Sequence, residues 1–372
     1  MTAPAVAQPA ARVSWADRSR ARLGGLFDRL ALRGMCLAFD AAITLDDADV
    51  AAVRASAAPY VTDALAADPA CWFHRDDDRP PPPRTVYRRR IADGVVIGRQ
   101  LASDYVPFHR DPRVPACPEN DWIPIQHWVH DGGAPATLIA LHGFTMGDVR
   151  TDAAVLMADA WYRLGLDVVL LTLPFHGPRA PRDARFSGQL FGSWHVGRLN
   201  EAVRQSIHDV RRVIGWLRGR GTAVGVMGVS LGGYLTALLA ELTDALAFAI
   251  PIAPPVHLGT LPTILFARSR WAKRMPPPLT ADQMTAAYRL HCPLTYPLAL
   301  PRERVLIIAG RGDRIVPPEQ PAALWRHWDE PPIYWYSGSH VAPFQRRTLL
   351  AAGVAHVRRL GILPSDDAAN AA

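Results

Sequence analysis

A serine hydroxyl is a weak nucleophile near neutral pH. It attacks a carbonyl carbon when a histidine takes its proton, an acid orients that histidine and hydrogen-bond donors receive the oxyanion. Residues for each task stand at plausible places in this chain. Ser230 lies in Gly228-Val229-Ser230-Leu231-Gly232, after the apolar run Ala223 to Met227. After it, Leu231, Tyr234, Leu235, Leu238, Leu239 and Leu242 recur at helical spacing. The segment reads as a strand, a sharp turn and a helix, with glycines where side chains would collide and the positive end of the helix behind the serine.

The other roles fall at the ends of further apolar runs. Ala136 to Leu141 runs into His142-Gly143-Phe144, so the backbone N–H groups of Phe144 and Leu231 are the expected oxyanion pair. Arg304 to Ala309 ends at Gly310-Arg311-Gly312-Asp313, which makes Asp313 the candidate acid. Ile333 to Tyr336 ends at Ser337-Gly338-Ser339-His340, which makes His340 the candidate base. Aspartate after glycine is also an ordinary turn residue; its place after an apolar strand favours the acid. His176, at the end of the run from Asp167 to Leu173, is the competing base. His142 reads as a structural hydrogen-bonding residue, and His195, His208 and His257 as weaker candidates.

The order Ser230, Asp313, His340 resembles that of the α/β-hydrolase superfamily, over a stretch from about Trp122 to about Gly361. The resemblance implies an α/β fold with a mostly parallel central sheet flanked by helices, no metal or organic cofactor, and ester, thioester or amide chemistry through an acyl-enzyme. The expected function is a serine hydrolase that cleaves a carboxylic ester of a small molecule. Two alternatives stay open: an acyltransferase using the same three residues, and a catalytically silent scaffold whose basic N-terminal extension binds a membrane or a partner. With a histidine near its ordinary pKa as base, activity is expected to fall below about pH 6.

The elements that must position these residues follow from periodicity. Val86 to Asp104 and Trp122 to His130 read as early antiparallel strands. Helices are expected near Asp152 to Leu164 and Leu199 to Leu217, the latter with Leu199, Val203, Ile207, Val210, Ile214 and Leu217 on one face. Such alternation of strands and helices implies a parallel sheet. Residues 257–300 interrupt it with prolines and apolar residues, among them Leu261, Ile264, Leu265, Phe266, Trp271, Met275 and Met284. This insertion is read as a cap over the serine that shapes an apolar acyl pocket, the alternative being a helical layer without substrate contact. The hydrolase domain is expected over residues 84–364. Residues 1–16 are expected to be disordered and 365–372 to form a flexible tail. Residues 17–83 form a helical extension ending in Pro80 to Pro83. There Leu23, Leu26, Phe27, Leu30 and Leu37 make an apolar stripe beside Arg22, Arg29 and Arg33, broken by Gly24-Gly25. A helix packed on the core through that stripe is preferred over one lying on a membrane.

Composition is that of a folded globular chain: 372 residues, 49% hydrophobic and 20% charged. The net charge of +7 comes from scattered arginines without interleaved aromatics, so no nucleic-acid partner is expected. Clusters Arg18 to Arg33 and Arg84 to Arg90 allow a weak peripheral membrane contact at most, and solvated charge is the simpler reading. The four cysteines show no metal-binding spacing and read as free thiols. No run approaches the roughly 18 apolar residues of a membrane span, and no signal core is evident, so the expected compartment is the cytoplasm. Oligomeric state is left open by the sequence.

Overall fold

Alternate residues of the apolar runs face opposite ways, and each set finds its own layer of helices. The computed structural model describes residues 14–42, 47–62, 65, 67–73, 80–111, 116–192, 195–343 and 346–365. Its strands are β1 (Arg84–Ile91), β2 (Gly94–Ala102), β3 (Trp122–His130), β4 (Ala136–Leu141), β5 (Asp167–Leu171), β6 (Ala223–Val229), β7 (Phe248–Ile252), β8 (Ile307–Gly310) and β9 (Ile333–Tyr336). Its helices are α1 (Trp15–Ala42), α2 (Asp47–Ala57), α3 (Pro69–Trp72), α4 (Val149–Val155), α5 (Ala158–Arg163), α6 (Val196–Arg218), α7 (Leu231–Leu242), α8 (Thr260–Arg268), α9 (Ala281–Tyr288), α10 (Glu319–His327) and α11 (Arg346–Arg359).

The strands form one nine-stranded sheet in the order β1-β2-β3-β5-β4-β6-β7-β8-β9. The first three are antiparallel, and β3 pairs antiparallel with β5; from β5 to β9 every neighbour is parallel. Ile139, Leu141, Val169 and Leu171 face α6, α7 and α10, whereas Leu138, Ala140, Val168 and Leu170 face α5 and α11. Burial on both faces explains why these strands are apolar without alternation. Because the strands are parallel, β4, β6, β8 and β9 all end on one edge, where a ligand site is expected.

The N-terminal segment departs from expectation in two ways. The helix begins at Trp15, inside the stretch read as disordered; residues 1–13 and 366–372 lie outside the described residues. It does pack on the body, but through the opposite face. Gly24, Gly25, Asp28, Leu32 and Cys36 are buried, while Leu23, Leu26, Phe27, Leu30 and Leu37 are 45–66% exposed. The glycines cost helix propensity. They also remove the side chains that would hold the helix away from the loops beneath it. Leu32 joins Ile315 and Val316 in a small apolar cluster with Ala31, Leu261 and Ile264, which ties α1 to the loop after β8 and to α8. The cysteines are free thiols, Cys36 buried and Cys71 exposed. Among the described residues no helix is long and apolar enough to cross a membrane.

Candidate active site

The central strand β6 delivers Ser230 to the open edge through a turn that few residues tolerate. Ser230 has φ 55° and ψ −114°, a left-handed backbone that costs a non-glycine residue about 1–3 kcal/mol. Its N–H donates to the Ile252 carbonyl at 2.8 Å, and its own carbonyl receives the Tyr234 N–H that starts α7. Glycine is required on both sides: a Cβ on Gly232 would run into the Leu141 carbonyl, and one on Gly228 into Gly232. The turn therefore holds the hydroxyl out from the sheet edge, at the N-terminus of α7.

Asp313 and His340 arrive on the loops after β8 and β9. One Asp313 oxygen accepts the N–H groups of Ile315 and Val316 at 2.9 and 2.7 Å, which fixes the buried carboxylate. Its other oxygen lies 2.7 Å from His340 Nδ1, and His340 Nε2 lies 2.8 Å from Ser230 Oγ. A carboxylate only accepts, so Nδ1 carries the proton and Nε2 is left to accept from the serine hydroxyl. Burial opposes charging of His340, but the negative charges of Asp313 and Asp28 and the hydrogen bond it donates to Asp313 outweigh it, so its pKa is raised.

Of the other candidate histidines, His142, His176, His195 and His208 are engaged away from Ser230, whereas His257 lines the pocket beside it. His142 is wholly buried; Nε2 accepts from the Leu173 N–H at 3.1 Å, so Nδ1 donates to the Gly143 carbonyl at 2.9 Å. Burial lowers its pKa to about 4, in line with a structural role. His176 stacks edge-on against His142, with centroids 5.0 Å apart, and its Nδ1 pairs with the Pro174 carbonyl. Burial and the His142 ring lower its pKa well below the usual range. His340, and not His176, is thus hydrogen-bonded to the serine. His195 caps α6, and His208 meets the Ser103 carbonyl. Among the described residues no cluster of His, Cys, Asp or Glu suits a metal ion.

A pocket opens at Ser230 and Leu231, walled by Phe144, Phe191, Leu199, Ile315 and Val316 from the body. The insertion adds Leu258, Leu261, Pro262 and Leu265. Trp271 and Met275, expected among the cap's apolar residues, are not in this wall. Sequence reasoning also missed Phe39 of α1, which lines the pocket and stacks against Phe144 at 6.4 Å. It missed Asp28 as well, whose buried carboxylate reaches both loops of the site. The adjacent Gly24-Gly25 pair was the one signal that this stretch approaches other backbone closely.

Comparison with known proteins bears on the fold. The serine hydrolase (FSH1) family profile matches residues 180–352, a segment that contains Ser230, Asp313 and His340. The acetyl xylan esterase of Paenibacillus sp. R4 superposes with a TM-score of 0.55, covering 83% of this chain and 99% of that one at 13% identity. The chain has the α/β-hydrolase fold. A second neighbour, acetyl xylan esterase 1 of Thermoanaerobacterium sp. JW/SL YS485, gives a TM-score of 0.53 with 80% and 93% covered at 16% identity. At such identities the likeness shows the fold alone. An uncharacterized protein of Mycobacterium tuberculosis, matched in strains H37Rv and CDC 1551, is 34% identical over 234 residues, 61% of this chain and 54% of its own length. The chain thus spans about half the length of the curated relatives it matches.

Proposed function

We propose that this protein is a serine hydrolase that cleaves a carboxylic ester bearing an apolar acyl group. The row Asp313–His340–Ser230, with both contacts at 2.7–2.8 Å, carries the proposal. In it His340 takes the hydroxyl proton as Ser230 attacks the carbonyl, and Asp313 steadies the imidazolium. The N–H groups of Phe144 and Leu231 receive the oxyanion. His340 then protonates the leaving alcohol, and water activated by the same imidazole releases the acid. The leucine-rich wall over Ser230 supports an apolar acyl group. The test is labelling with a fluorophosphonate, the adduct located by peptide mass, followed by a chain-length series of esters. Labelling at Ser230 that is lost in Ser230→Ala and in His340→Ala is expected. A folded wild type that does not label refutes the proposal.

A peripheral membrane contact is proposed beside it, on the observation that the apolar stripe of α1 faces outward. Leu23, Leu26, Phe27, Leu30 and Leu37 are exposed, and exposed Arg22, Arg29 and Arg33 run along one flank of the stripe. Cosedimentation with anionic lipid vesicles tests it.

A further inference from the structure

Asp28 is wholly buried, 0% exposed, on the inner face of α1. One of its oxygens accepts the Arg314 N–H at 2.8 Å and the His340 N–H at 3.1 Å; the other accepts the Val341 N–H at 3.0 Å. Arg314 follows Asp313 and Val341 follows His340, so a single carboxylate grips the acid loop and the histidine loop beside their functional residues. The helix can come this close because its contact surface lacks side chains. A Cβ on Gly24 would lie 2.9 Å from Ser339 Cβ and 3.0 Å from its backbone nitrogen, and Gly312 in turn faces the backbone of Ala21. The two loops are also joined by the Gly312 N–H to the Gly338 carbonyl, at 2.8 Å.

We propose that Asp28 is a positioning residue for the site, one carboxylate that sets the spacing of the Asp313 and His340 loops and places a fixed negative charge behind the imidazole. The proposal rests on the reading of Ser230, His340 and Asp313 as the catalytic row. Two acceptor oxygens on three N–H groups fix two loops in register. An error of about 1 Å in such a register can cost roughly a hundredfold in rate. The charge acts separately from the geometry. The groups that face His340 are Asp313 from the loop after β8, Ser230 from the turn after β6 and Asp28 from α1. The Arg314 side chain lies against Gly25, and Arg311 and Asp17 influence one another. Removing the Asp28 charge leaves His340 with one fewer anion and makes it easier to deprotonate.

The experiment measures kcat, KM and their pH dependence on a p-nitrophenyl ester for the full chain, with fluorophosphonate labelling in parallel. Asp28→Asn keeps the volume but loses the charge and one acceptor. Its kcat is expected to fall roughly ten- to a hundredfold with KM within about twofold, and its acid limb to move down by about half a unit or more. Gly24→Ala keeps the carboxylate and pushes the helix off Ser339. A several-fold lower kcat and a shift of the same sign are expected. Wild-type kcat and limb in a folded Asp28→Asn would overturn the proposal, as would a lowered Tm with neither changed; should that variant not fold, the same result in Gly24→Ala overturns it. Wild-type labelling at Ser230 that needs His340 keeps the catalytic reading standing in those cases. Wild-type protein that does not label, or labels equally without His340, overturns both.

Discussion

In the proposed mechanism His340 works as a base only while neutral, and two neighbouring carboxylates favour its proton. As pH falls through its raised pKa, the base is lost, so the acid limb of kcat/KM should have its midpoint above the ordinary value of about 6.5. That is higher than the fall below about pH 6 expected from an unperturbed histidine. A rate flat from pH 5 to 8, or a midpoint below 6, would contradict the role given to His340. At this scale the sequence was informative where chemistry follows a strand end. Ser230, Asp313 and His340 each follow an apolar run, and a run of that kind is visible without coordinates. Asp28 follows none. Its partners are backbone N–H groups of residues 286 to 313 positions away, and no local pattern encodes them.

At the scale of the element, α1 shows where periodicity stops short. The apolar stripe was legible, and so was the helix despite Gly24-Gly25. The side that packs was not, because its first turns, with Gly24, Gly25 and Asp28 ahead of Leu32, Cys36 and Phe39, look polar on a hydrophobic scale. The insertion differs: Leu261 and Leu265 were read as cap residues and do line the pocket, but Trp271 and Met275 could not be sorted from them by type. The outward stripe makes a measurable demand. Anionic vesicles should bind the protein, neutral vesicles less, and salt should weaken the binding, each exposed arginine near the surface contributing about 1 kcal/mol. The double variant Leu26→Glu, Leu30→Glu should lower vesicle binding at least about tenfold while leaving hydrolysis of a water-soluble ester unchanged. Equal sedimentation of wild type and variant would remove the membrane reading.

For the whole molecule, the alternation of strands and helices encoded a parallel sheet, and the order of motifs put its functional ends on one edge. Burial then sets how the fold answers acid. Burial lowers His142 and His356 to about 4 and His127 and His291 to about 3, and lowers His176 well below its usual value. Unfolded, all five take protons near pH 6.5. Between about 6.5 and 4 they bind more protons in the unfolded chain, so acidification favours unfolding. Asp152, raised by burial to about 6, and Glu241 and His340, also raised, act in the opposite sense. Five groups against three leave a lower Tm at pH 5 than at pH 7, measurable by calorimetry; a Tm that rose on acidification would contradict this balance. A last consequence concerns synthesis. Asp28 and the His340 N–H it receives are 312 positions apart. At about 5–20 residues per second, a ribosome makes α1 roughly 15–60 s before its partner loop emerges. The helix must wait through the making of the sheet. A nascent chain can own its nucleophile turn and still lack a seated histidine, so the row of three side chains cannot assemble until residue 340 has emerged.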